Sequence, residues 1–165
     1  MNQRTRDAIE AVLAEEGGFV DHPADKGGPT NRGVTLRTLE EWRGVPVSAA
    51  DVRAMELPEA IDIYEANYVR APRLDDIKDD ALFRYMVDSA VHHGPKRAIK
   101  MLQKVIGVTA DGIAGPVTLS TVNRLRGDQV LAALRKERVV FMARIVERDV
   151  SQVIFLEGWL ARAMA

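Results

Sequence analysis

Apolar residues recur at helical spacing along most of this chain. Between Thr5 and Glu16, the positions Ile9, Val12 and Leu13 fall at i, i+3 and i+4, and Glu16 continues the same stripe. Glu15 projects well away from it. Residues 19–35, FVDHPADKGGPTNRGVT, lose that period and are dense in Gly, Pro, Asp, Asn and Thr, which predicts turns or a small hairpin. Thr35 then caps a short helix to about Trp42, and Gly44 and Pro46 break the chain. Ser48 starts another short helix. Pro58 opens a third, with Ile61, Tyr64 and Tyr68 on one face, and Pro72 closes it.

From Asp79 the pattern stays helical. Leu82, Phe83, Met86, Val87 and Ala90 form one stripe, cut by Gly94-Pro95, and Ala98, Ile99, Leu102, Val105 and Ile106 form the next, an antiparallel pair with a tight corner. Asp111-Gly112 marks a turn and Gly115-Pro116 a helix start. Gly127 precedes a long helix carrying Val130, Leu131, Leu134, Phe141, Met142 and Ile145. A last amphipathic segment bears Phe155, Trp159 and Leu160. The expectation is a mainly α-helical globule with one small loop or β-hairpin region near residues 19–35.

The chain has 165 residues, 47% of them hydrophobic, which suits a single packed domain. No run approaches the length of a membrane span, and the N-terminal MNQRTRDAIE lacks the apolar core of a secretory signal. Without cysteine there is no disulfide, thiol nucleophile or cysteine-ligated metal. Residues 1–80 carry 10 basic and 17 acidic side chains, residues 81–165 carry 13 and 7. That asymmetry suits either an anionic polymer on the C-terminal half or attraction between the two halves.

The chemistry concentrates after the first helix. A carboxyl on an apolar face is costly to ionise, and general acid catalysis needs a carboxyl that still carries its proton. Glu16 has that placement, followed by Gly17-Gly18 and a polar loop with Asp21, Asp25, Thr30 and Asn31. Glycosidic hydrolysis asks for a proton donor at the leaving oxygen and usually a second carboxylate. Glu16 and Asp25 supply one of each, Thr30 could position a water, and the loop glycines let a polymer approach the backbone. A glutamate before a helix stop is, taken alone, more often simply solvated.

Other residues have plainer readings. His92-His93 makes a poor metal site, because neighbours on a helix diverge by about 100° and no HExxH spacing exists; His93 suits a helix-end hydrogen bond, and His22 a cleft wall. Asp88, in an apolar helix, should pair with a backbone amide or an arginine. Tyr64, Tyr68 and Trp159 read as core before sugar platforms. Arg124, Arg126, Arg135, Lys136, Arg138, Arg144 and Arg148 read as a solvated helix face, and nucleic-acid motifs are missing.

The segment EGGFVDHPADKGGPTNRGVT, Glu16 to Thr35, resembles the signature of the glycoside hydrolase family 108 N-acetylmuramidases, phage-type endolysins, with the pattern E-G-G-[YF]-x-x-x-P-x-D-x-G-G-x-T-x-x-G-[IV]-T. Downstream, DSAVHHGPKRAIKMLQ, DGIAGPVTL and FLEGWLARA resemble that family's peptidoglycan-binding region. His92 stands where the family commonly has Asn, and Val69 where Trp is frequent. The resemblance implies a lysozyme-like, mostly helical fold, with a catalytic region over 1–75 and a peptidoglycan-binding-like region over 80–165. It implies cleavage of the β-1,4 bond between N-acetylmuramic acid and N-acetylglucosamine, with Glu16 as acid and Asp25 and Thr30 as its companions. Gly28, Asn31, His22 and Tyr68 are the candidate substrate contacts. No cofactor or metal is implied. The partner is bacterial peptidoglycan, the protein is expected to be a monomer, and it would wait in the host cytoplasm until lysis. A lytic transglycosylase and a non-catalytic wall-binding module are the alternatives.

Overall fold

The computed structural model describes residues 1–21 and 28–165, and the chain divides into two compact units, 1–73 and 74–165. In the first unit, α1 (Gln3–Glu15) starts at Asn2, whose side chain accepts from the Thr5 amide at 2.8 Å. It buries Thr5, Ala8, Ile9, Val12 and Leu13. The anticipated hairpin consists of β1 (Thr30–Asn31) and β2 (Val34–Thr35), antiparallel, with Thr30 opposite Thr35 and Asn31 opposite Val34. Val20 extends it by two 2.8 Å backbone bonds with Thr30. Thr35 caps α2 (Leu36–Arg43), which ends in left-handed Gly44. Ser48 and Asp51 form a capping box on α3 (Ala49–Ala54).

Pro58 stands in the first turn of α4 (Leu57–Tyr64), as its sequence predicts, but the next six residues differ from expectation: Glu65–Arg70 form a π-helix. The periodicity could not distinguish this, because residues four apart share a face in either helix. Such π turns are uncommon and frequently accompany functional sites. Here the turn carries Tyr68.

The second unit is built from α5 (Asp80–His93), α6 (Pro95–Val105), α7 (Pro116–Val122), α8 (Gly127–Arg148) and α9 (Leu156–Met164), with a 3₁₀ segment Val150–Phe155 before the last. α8 packs against α5, α6 and α9. The Asp111-Gly112 turn is held by buried Gln103, whose amide nitrogen donates to Asp111 Oδ1 at 2.7 Å and Thr118 Oγ1 at 3.0 Å. Its amide oxygen accepts from the Gly112 backbone at 2.8 Å. Among the described residues no helix is long and apolar enough to cross a membrane.

One expectation for α8 is overturned. Arg138 is not on a solvated face; it is wholly buried, on the inward stripe with Val130, Leu134 and Met142. What makes this tolerable is an acceptor for each of its three nitrogens. Asp88 Oδ2 lies 2.7 Å from Nη1, and the other Asp88 oxygen accepts from Arg162 Nε at 2.6 Å. Asp88 thus has the arginine partner its sequence setting calls for. Arg138 Nε donates to His93 Nε2 at 2.9 Å, and Nη2 lies 3.0 Å from His92 Nδ1. A guanidinium only donates, so both rings must offer lone pairs.

Burial, reinforced by neighbouring positive charge, depresses His92 to about 4; His93 falls to about 3 through burial first, then its neighbour His92 and Arg138. Protonation would replace an acceptor with a cation facing a cation. Both groups are neutral in the fold but bind protons below about 6.5 when unfolded. Their contribution is therefore complete above pH 6.5 and lost as pH falls toward 4 and 3. Urea midpoints should decline over that range in the wild type and decline less in a His92→Asn/His93→Gln variant, whose amide oxygens can still accept. Equal slopes for the two proteins would refute the assignment.

Candidate active site

The first helix stops one residue before the glycines. Glu15 is its last residue, and Glu16 has already turned extended, at φ −82° and ψ 139°, with its amide bonded to the Leu13 carbonyl at 3.3 Å. The cap, and not Gly17-Gly18, ends the helix and redirects the half-buried Glu16, while Glu15 stays exposed. Among the described residues nothing lies within 4 Å of a Cβ placed on Gly17 or Gly18, and both glycines are exposed. Arg53 then stacks over Phe19, 4.3 Å from the ring centre, and ties the returning chain to α3.

The hairpin turn faces the helix end. Arg32 and Gly33 occupy the two loop positions with φ of 51° and 74°, the pair of left-handed conformations of a type I′ turn. Gly33 is required by space as well as by φ. A Cβ there would overlap the Tyr64 hydroxyl and come within 3.2 Å of Glu16 Oε2. The missing side chain thus lets turn, tyrosine and carboxyl meet. The Tyr64 hydroxyl donates to the Arg32 carbonyl at 3.0 Å, while its ring is buried in the core of the unit. Tyr68, half-buried, tilts against the Tyr64 ring with centroids 5.1 Å apart. Burial raises its hydroxyl's pKa above the usual tyrosine value, and the negative charge of Glu16 adds to the effect.

The other candidates occupy the hairpin or lie beyond description. Thr30 Oγ1 donates to the Gly28 carbonyl at 3.3 Å, and Gly28 adopts the left-handed region at φ 71°. Asn31 is buried, its amide nitrogen donating to the Val52 carbonyl at 2.9 Å and the Arg53 carbonyl at 3.3 Å, so it anchors the hairpin to the end of α3. Asp25 and His22 fall within residues 22–27, outside the described residues. Among the described residues no cluster of three or more His, Cys, Asp or Glu could hold a metal ion.

Sequence reasoning placed Tyr64 in the core and missed its hydroxyl, and it treated Gly33 only as one of several permissive glycines. The available signal was Arg32-Gly33 as a two-residue turn between β-prone pairs. Asn31→Ala would strip the buried Val52 carbonyl and the part-buried Arg53 carbonyl of a donor, at a cost of about 1–3 kcal/mol. A lowered melting temperature is expected; an unchanged one would show that the hairpin is held elsewhere.

A family model described as glycosyl hydrolase 108 matches residues 9–94, and one described as a predicted peptidoglycan domain matches 97–164. Among solved structures, that of Brucella abortus SagA is 39% identical, with a TM-score of 0.80 over 97% of this chain and 89% of that one. No curated protein matches the sequence. The half that holds Glu16 and the hairpin is the half the hydrolase model covers, and the chain belongs to the glycosyl hydrolase 108 family, as a glycoside hydrolase that degrades peptidoglycan.

Proposed function

We propose that this protein is an N-acetylmuramidase of the endolysin type, hydrolysing the β-1,4 bond between N-acetylmuramic acid and N-acetylglucosamine with Glu16 as general acid. The observation that carries the reading is the position of the Glu16 carboxyl. It ends a helix, is half-buried, lies against a turn whose side chain is missing, and adjoins two exposed glycines. A proton donor must reach a leaving oxygen on a bulky polymer, and this placement sets a half-buried carboxyl beside exposed backbone.

In the proposed reaction Glu16 gives its proton to the glycosidic oxygen as the bond to the sugar's anomeric carbon breaks. A water attacks that carbon, assisted by Asp25, and Thr30 orients it through the hydroxyl that already leans on the Gly28 carbonyl. Tyr68 offers an aromatic face beside the acid, on which a sugar's C–H surface can rest. The peptidoglycan domain would hold the polymer while the first unit cleaves it. As an endolysin, the protein would remain in the host cytoplasm until the inner membrane is opened.

Mass spectrometry of fragments released from purified peptidoglycan tests this directly. Wild type should yield reducing N-acetylmuramic acid ends, and Glu16→Gln should yield none while melting like the wild type. Anhydro ends would make the enzyme a lytic transglycosylase, and full activity in Glu16→Gln would remove Glu16 from the mechanism.

A further inference from the structure

The Tyr64 hydroxyl is out of place for a core residue. Its ring is buried with Ile61 and Ile63 on α4, yet its oxygen reaches the hairpin turn and occupies the room a side chain at position 33 would need. Glu16 Oε2 borders the same room. A phenol has one proton to donate, and here it goes to the Arg32 carbonyl at 3.0 Å. What the oxygen can still offer is its lone pairs, and these accept from a carboxyl only when that carboxyl is protonated.

We propose that Tyr64 is a positioning residue for the hydrolysis: its hydroxyl, oriented by the Arg32 carbonyl, accepts from the protonated Glu16 carboxyl and holds it at the turn in the form that can donate. This rests on Glu16 being the acid. The turn sets the direction of the bond, since Arg32 in the left-handed region aims its carbonyl at α4 and Gly33 leaves the space empty. Among the described residues, Glu16 shares the space at Gly33 with Tyr64 of α4, its charge acts on Tyr68 of the π turn, and the exposed Glu15 precedes it at the end of α1. The two carboxylates and Tyr68 are present in any Tyr64 variant, so a change on removing one oxygen reports on that oxygen.

The test is Tyr64→Phe, which keeps the ring and its packing against Tyr68. Initial rates of peptidoglycan solubilisation, measured across pH with Glu16→Gln alongside, should show kcat reduced about 10- to 100-fold, the effect of losing one hydrogen bond to the reacting acid. KM should be unchanged, and the alkaline limb of the activity profile should move to lower pH. A rate and profile equal to wild type would overturn the proposal. So would a loss of activity that only follows the loss of folded protein. If Tyr64→Phe does not fold, Gly33→Ala takes its place, since its Cβ displaces the hydroxyl while leaving Tyr64 in the chain: the folded fraction should show the same fall in kcat at unchanged KM, and an unaltered kcat would overturn the idea. An inactive Glu16→Gln beside an undiminished Tyr64→Phe defeats the Tyr64 role alone, whereas an active Glu16→Gln defeats both readings.

Discussion

The first unit depends on one close approach, that of the backbone at Gly33 to the Tyr64 hydroxyl and the Glu16 carboxyl. Three elements distant in sequence meet there, the end of α1, the hairpin turn and the end of α4, and none has room for a side chain at position 33. Each element is prepared locally for the meeting. Glu16 leaves the helix in an extended conformation, the turn takes two left-handed residues, and α4 gives way to a π turn that keeps Tyr68 against Tyr64. A left-handed arginine costs about 1–2 kcal/mol, and the bond its carbonyl accepts from Tyr64 offsets part of that cost.

The second unit solves a different problem with one cation. Burying the Arg138 guanidinium would be prohibitive without partners, and Asp88, His92 and His93 supply acceptors on three of its edges. The requirement passes to the histidines, which must stay neutral, and to Arg162, which takes the second Asp88 oxygen. α5, α8 and α9 are thus joined by directional bonds as well as by apolar packing. Tyr85 adds a further link, donating to the Ala163 carbonyl at 2.8 Å.

Much of this was legible in the residues. The α1 stripe, the caps at Thr35 and Ser48, the stops at Gly44 and Gly94, and the family signature from Glu16 to Thr35 all follow from local chemistry, and local chemistry is what a sequence displays. Arg138 was misread because it stands among other arginines. Only the i+4 spacing with Val130, Leu134 and Met142 marks it as inward, and a cation there makes sense only once Asp88 and two histidines from another helix are known to face it. Tyr64 was read correctly by its ring and missed by its hydroxyl, since the hydroxyl's partner is a carbonyl 32 residues earlier. The π turn leaves no mark on a pattern that samples residues four apart.

If the acid acts from the position the turn defines, the length of its side chain matters as much as its charge. Glu16→Asp keeps a carboxyl but withdraws it by one methylene from Gly33 and Tyr64. Fragment release from peptidoglycan by this variant should fall roughly 100-fold, the scale of a 1 Å misplacement at a reacting centre, with little change in melting temperature. Wild-type rates from Glu16→Asp would contradict the account.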